Sequence, residues 1–252
     1  MPSVRVIPRL DIKGPNVVKG IHMEGLRVVG SPADLARRYA ADGADEILFI
    51  DIVASLYGRN SILSVVEEVA REVFVPLTVG GGIRSVDDAV AALRSGADKV
   101  AVNTAALERP ELVTETSRAL GSQAVVVSIE AKRIPGAGWE AFANNGRDRT
   151  GIDAIGWARR AEQLGAGELL ITSVDNEGTR RGYDIDLVAA VADHVDIPVI
   201  ACGGAGSPAH ISELLAKTTV DAVCCASILH YGLHRLPEVK AALAGDGWEV
   251  RS

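Results

Sequence analysis

The chain states one pattern twice. Residues 78–90 read TVGGGIRSVDDAV, and about 120 residues later residues 201–211 read ACGGAGSPAHI. Further segments pair at nearly the same offset: Leu10-Asp11-Ile12-Lys13 with Ile129-Glu130-Ala131-Lys132, Gly43-Ala44-Asp45-Glu46 with Gly165-Ala166-Gly167-Glu168, and Gly96-Ala97-Asp98-Lys99-Val100 with Thr219-Val220-Asp221-Ala222-Val223. A period this long holds several strand and helix units, so it marks a duplicated half-domain rather than a stack of short repeats. Each special residue therefore acquires a partner in the other half.

Short apolar runs rich in β-branched residues alternate with amphipathic segments of helical period, the pattern of strand-helix units around a parallel sheet. The expected strands are Val4–Leu10, Glu46–Asp51, Val75–Val79, Lys99–Asn103, Ala124–Glu130, Leu169–Ser173, Pro198–Cys202 and Ala222–Ala226. They are continuously apolar, as befits strands covered on both faces. Helices are expected at Pro32–Asp42, Ile62–Glu72, Val86–Ser95, Pro110–Leu120, Asp153–Leu164, Ile185–His194, Pro208–Ala216 and Leu236–Ala244, several opening on Ser or Asp beside Pro. Eight units with a two-fold repeat close most simply into a (β/α)8 TIM barrel of half-barrels at about 1–122 and 123–252, one domain, with its site at the C-terminal strand ends. An open doubly wound sheet is the other arrangement this pattern allows. The connections Ile12–Ser31 and Ala131–Gly151 are too long for ordinary links and read as lid or binding loops that face each other.

Composition narrows the function. A chain of 252 residues, 48% hydrophobic, can bury a large core, and a net charge of -7 argues against nucleic acid or an anionic membrane as partner. Cys202, Cys224 and Cys225 lie in apolar runs, too few and too close for a disulfide framework, and suit a reducing compartment. With no apolar stretch of signal-peptide or membrane-spanning length, the expected location is the cytoplasm.

Asp11 and Glu130 end strands at matching places in the two halves. Two carboxylates across one mouth can serve as general acid and base, although Lys13 and Lys132 nearby also allow plain ion-paired strand ends. Gly80-Gly81-Gly82 with Asn103-Thr104 mirrors Gly203-Gly204 with Ala226-Ser227. Glycine lets backbone N–H groups close on a phosphate, so the doubled motif points to a small substrate with a phosphate at each end. His230 and His234 have helical spacing, but Gly232 lies between them and no third ligand is evident, so no metal or other cofactor is expected. Trp139 and Phe142 in the long fifth connection suit stacking or loop packing.

Taken together, the segments IPRLDIKGPNVVKG, GADEILFIDI, PLTVGGGIRSVDDA, GADKVAVNTAA, GSQAVVVSIEAKR, GAGELLITSVDNEGT, IPVIACGGAGS and CASILHYG resemble the cyclase subunit of imidazole glycerol phosphate synthase over essentially the whole chain. The resemblance implies a duplicated (β/α)8 enzyme of histidine biosynthesis, paired as a heterodimer with a glutaminase that sends ammonia through the barrel. Its implied substrate is the bisphosphorylated phosphoribulosyl-formimino-aminoimidazole carboxamide ribotide. By the same resemblance Asp11 is a catalytic carboxylate, Lys19 a first-loop lysine near the substrate, and Gly82, Asn103 and Thr104 one phosphate site. Gly178, Gly204, Ala226 and Ser227 match the other phosphate site, and Arg5, Glu46, Lys99 and Glu168 the charged gate through which ammonia enters. On composition alone, that last quartet equally suits a stabilising salt-bridge ring.

The departures cluster at the chemistry. The family places Asp at Glu130 and Glu177, and commonly Cys at Arg9, Ser at Cys202 and Thr at Val53. Glu in place of Asp moves the carboxylate by ~1.5 Å, a shift that can cost about a hundredfold in rate. Such a pattern also fits a paralogue that uses glutaminase-derived ammonia to amidate a surface-polysaccharide sugar, or a noncatalytic partner that activates a glutaminase and conducts ammonia. The related phosphoribosyl isomerase shares the duplicated barrel, but the VVKG segment and the gate favour the cyclase.

Overall fold

The structure, a computed structural model, describes residues 3–54 and 62–251. The described strands are β1 (Arg5–Lys13), β2 (Asn16–Ile21), β3 (Glu24–Gly30), β4 (Ile47–Asp51), β5 (Leu77–Gly80), β6 (Lys99–Val102), β7 (Val125–Ile134), β8 (Gly138–Ala143), β9 (Asp148–Asp153), β10 (Glu168–Ser173), β11 (Val199–Cys202) and β12 (Ala222–Cys225). The described helices are α1 (Pro32–Ala41), α2 (Leu63–Ala70), α3 (Val86–Arg94), α4 (Thr104–Glu108), α5 (Glu111–Leu120), α6 (Ala154–Gln163), α7 (Ile185–Ala192), α8 (Pro208–Lys217), α9 (Ser227–His230) and α10 (Leu236–Gly245). Eight strands, β1, β4, β5, β6, β7, β10, β11 and β12, pair in parallel in that order, and β12 returns to β1. The sheet is a closed (β/α)8 barrel.

The alternation of side chains along a strand sorts the apolar residues into two cores. Ile7, Leu48, Ala101, Val126, Leu170, Ile200 and Ala222 form a cluster of their own inside the barrel. Their chain neighbours Val6, Ile47, Phe49, Val100, Val125, Val127, Leu169, Ile171, Val199 and Val223 point outward into the larger core under the helices. Strands dressed on both sides have no polar face to show, which is why their sequences look unbroken.

The duplication is visible in the backbone as well as in the sequence. Gly81 and Gly203 have φ of 90° and 96°, Gly43 and Gly165 have 85° and 101°, and Asn103 and Ala226 share φ of -129° with ψ of -87° and -81°. Ser85 and Ser207, which follow the two glycine loops, each cap a helix by accepting an N–H three residues on.

The two long connections are not irregular loops. β1 and β7 run past the barrel rim and turn back as antiparallel strands, β2 and β3 after β1, β8 and β9 after β7. The alternating β-branched residues in NVVKGI and the Trp-Glu-Ala-Phe segment satisfy their backbone groups in ladders, so each connection is a rim hairpin. Trp139 and Phe142 pack in that second hairpin, with Arg133 over Trp139 and Lys132 over Phe142. The hairpins do face each other, since Met23 at the tip of the first lies against Gly146 at the turn of the second. None of the described helices is long and apolar enough to cross a membrane.

Candidate active site

Along β1 the inward positions fall at every second residue, and they carry Arg5, Ile7, Arg9 and Asp11 from the bottom of the barrel to its mouth. Asp11 is buried, with Arg9 Nε donating to its Oδ1 at 2.8 Å and Lys19 Nζ donating to its Oδ2 at 2.8 Å. Burial alone would raise the Asp11 carboxyl, but Arg9 and then Lys19 hold it well below the usual carboxylate range. Lys19 also donates to Glu177, and although burial opposes its charge, Asp11 and Glu177 keep its ammonium well above the usual lysine range. The hairpin brings Lys19 into place because its tip is pinned: His22 N donates to the Glu177 carbonyl at 2.8 Å, and Met23 is buried.

Glu130 occupies the repeat-related position on β7, in a different setting. Its Oε2 accepts from Asn103 Nδ2 at 3.0 Å and from the Gly146 N–H at 2.8 Å, two uncharged donors. Burial pushes its carboxyl up to about 7, against the pull of Arg9 and of the Gly146 N–H. A carboxyl poised there can both take and give a proton at neutral pH. The two strand-end acids are thus electrostatically split, one fixed as an anion and one free to titrate.

Glu130 lines a cavity together with Asp51, Gly81, Gly82, Asn103 and Thr104. A β-carbon on Gly81 would overlap the Asp51 carbonyl, so the loop holds its backbone against β4. The Asn103 side-chain amide donates to Glu130 and to the Phe142 carbonyl, while Thr104 Oγ1 accepts from Asn144 N at 3.0 Å. In the other half, a β-carbon on Gly204 would overlap the Gly182 carbonyl and one on Gly178 the Gly20 carbonyl. Gly178 thereby seats the loop after β10 against the first hairpin, and with Lys19 it lines an adjoining pocket. Ala226 and Ser227 open α9 as Asn103 and Thr104 open α4.

At the opposite end of the barrel Arg5, Glu46, Lys99 and Glu168 form one closed ion-pair ring. Arg5 bonds Glu46 at 2.9 Å and also Glu168, while Lys99 reaches Glu46 at 2.9 Å and Glu168 at 2.8 Å. Thr78 Oγ1 adds a bond to Glu46 at 2.5 Å. The ring lies at the floor of a second cavity on this face.

The remaining histidine expectation resolves into packing. His230 Nδ1 meets Tyr39 Oη at 2.6 Å and its Nε2 meets the Arg9 carbonyl at 3.0 Å. Burial, helped by Lys19, lowers its imidazole to about 4 and leaves it neutral. The sequence marks Arg9, Glu177 and Cys202 as departures without placing Arg9 on Asp11, Glu177 on Lys19 or Cys202 on Arg9, and it gives no mark to Asp51 or Gly146. For Arg9 a signal existed, because its spacing of two from Asp11 puts both on one strand face. Asp51 ends a strand as Asp11 does. Nothing local marks Gly146, whose N–H reaches Glu130 only through the second hairpin.

The family described as "Histidine biosynthesis protein" matches residues 5–235. This chain belongs to it. The chain is 58% identical over 206 residues to the imidazole glycerol phosphate synthase subunit HisF of Legionella pneumophila, covering 82% of this chain and 97% of that protein. It is 51% identical over 251 residues to the subunit of the same name from Solibacter usitatus (strain Ellin6076), covering 100% of this chain and 99% of that protein. The corresponding Bacillus cereus (strain Q1) protein is 50% identical over 251 residues, with both chains covered in full. A histidine biosynthesis protein with this barrel carries its acids and its glycine loops at the strand ends where such barrels place chemistry.

Proposed function

We propose that the chain is the ammonia-using cyclase subunit of an imidazole glycerol phosphate synthase, acting in the cytoplasm. It would convert phosphoribulosyl-formimino-aminoimidazole carboxamide ribotide and ammonia to imidazole glycerol phosphate, aminoimidazole carboxamide ribotide and water. The observation that carries this reading is full-length identity of about half to proteins of that name, in a chain whose mouth sets Asp11 and Glu130 between two glycine-loop pairs. Gly82, Asn103 and Thr104 would serve one phosphate, and Gly178, Gly204, Ala226 and Ser227 the other. Between them ammonia adds to the substrate, protons are exchanged at the mouth where the two carboxyls lie, water leaves, the ring closes and a C–N bond breaks. The purified protein, given ammonium and the precursor, is expected to release both products, measured chromatographically. No product at saturating ammonium would overturn the assignment.

The partner in this reading is a glutaminase subunit docked on the N-terminal face, feeding ammonia through the Arg5, Glu46, Lys99 and Glu168 ring. Phe74 supports that face: it precedes β5, 90% exposed, on the same side of the barrel as the ring. An aromatic side chain held in water is a common anchor of an interface. Phe74→Asp is expected to weaken binding of the cognate glutaminase at least about tenfold, by titration calorimetry, with ammonium-fed turnover unchanged. Lys99→Met should lower glutamine-fed turnover more than ammonium-fed turnover. Equal losses would make the ring purely structural.

A further inference from the structure

Arg9 is the least expected residue inside the barrel. It starts on β1, is 2% exposed, and its guanidinium crosses the lumen to Thr172 Oγ1 on β10 at 3.1 Å and Cys202 Sγ on β11 at 3.4 Å, while Nε holds Asp11. A buried arginine surrounded by apolar side chains is tolerated only because these acceptors and one carboxylate meet it. We infer that Arg9 is a positioning residue that locks Asp11 as a permanent anion, so that Glu130 alone carries protons in the reaction. The inference rests on the cyclase reading above and assigns the division of labour within that site.

The geometry separates the two acids. Each oxygen of Asp11 is taken by a cation, Arg9 on one and Lys19 on the other, so protonating Asp11 would strand two buried positive charges with only Glu177 left to answer them. The other titratable groups near Asp11 are His230, neutral against the Arg9 carbonyl, Cys224, whose thiol burial pushes well up, and Cys202, whose thiol is lowered by its bond to Cys224 and, against burial, by the same Arg9 guanidinium. Glu130 has only neutral donors on its carboxylate, with Arg9, Asp11 and Lys132 acting on it through space, and shares its cavity with Asp51, Arg84 and Glu108. Replacing its proton therefore strands no ion pair.

Two measurements test this. In the first, kcat for the ammonium-fed reaction is followed against pH in wild type, Arg9→Met and Arg9→Lys. Wild type should show a single ionisation on the acid limb. Arg9→Met, with one cation of Asp11 gone, should show that limb steepen toward two ionisations, and Arg9→Lys should restore the single one. A profile of unchanged shape in Arg9→Met, lowered only in height, would reduce Arg9 to a structural role and overturn the inference. The second measurement needs neither turnover nor a folded Arg9 variant. Infrared titration of the protonated-carboxyl band in the wild-type protein should reveal a buried carboxyl near neutral pH that vanishes in Glu130→Gln and persists in Asp11→Asn at lower pH, since removal of the Asp11 charge favours ionised Glu130. A neutral-range band lost in Asp11→Asn and kept in Glu130→Gln would overturn it, and would do so even if the substrate assignment failed separately.

Discussion

Glu130→Gln should lower kcat for cyclisation by about two to four orders of magnitude, the range associated with loss of a general acid-base group. Affinity for inorganic phosphate should stay within about twofold, because the amide keeps the shape of the side chain and its contact with the Gly146 N–H. The split between rate and binding is the informative part: a purely structural Glu130 would disturb both. The pH dependence follows from the position of the carboxyl at about 7. Attack by ammonia releases a proton, so the form needed at the outset is the carboxylate. The rate should fall about tenfold per unit as pH is lowered through about 7, and this limb should be missing from Glu130→Gln. Glu130→Asp is the subtler variant. Its carboxylate retracts by ~1.5 Å from Asn103 Nδ2 and Gly146 N, and a loss of about a hundredfold is expected from misplacement alone.

Gly204→Ala should be the most damaging single-atom change to the binding surface. Gly204 has φ of 108°, a conformation that costs any residue with a β-carbon about 1–3 kcal/mol. That carbon would also overlap the Gly182 carbonyl, whose oxygen accepts from Asn176 Nδ2 at 2.8 Å, so the loop after β10 must shift as a unit, at a further ~1–3 kcal/mol. Chemical denaturation should register the loss as a lower midpoint with an unchanged slope. Phosphate binding at this half of the mouth should be lost, while the cradle at Gly82 keeps its affinity. Loss at both cradles together would mean that the barrel, rather than one loop, had been disturbed. Normal stability and normal binding would remove the reason for a glycine at this position.

How much of this was legible from residues alone can be judged from particular elements. The eight barrel strands and their helices lie within a few residues of the expected segments, because burial on both faces leaves a strong mark: β7 reads Val125-Val126-Val127-Ser128-Ile129-Glu130, with no polar alternation to misplace it. The repeat supplied the pairing of Asp11 with Glu130 and of the two glycine loops, since duplicated halves put matching residues at matching strand ends. Two kinds of element escaped. The one-turn helices α4 and α9 are too short to carry a period, and the two rim hairpins alternate in a way that long connections also can.

Whatever depends on order along one strand or on equivalence between the halves is written in the residues. That includes the barrel, the acids at its mouth, the glycine loops, and the ring of charges at strand starts. The state of those groups is set by contacts between segments far apart in the chain. Asp11 and Glu130 are equivalent by repeat, yet Asp11 lies between Arg9 and a lysine delivered by the first hairpin, while Glu130 meets an amide from β6 and a backbone N–H from the second. A carboxyl's proton affinity is set by the charges and the burial around it in three dimensions, and those arrive from β2, the loop after β10, and the strand across the lumen. No spacing along the chain encodes them.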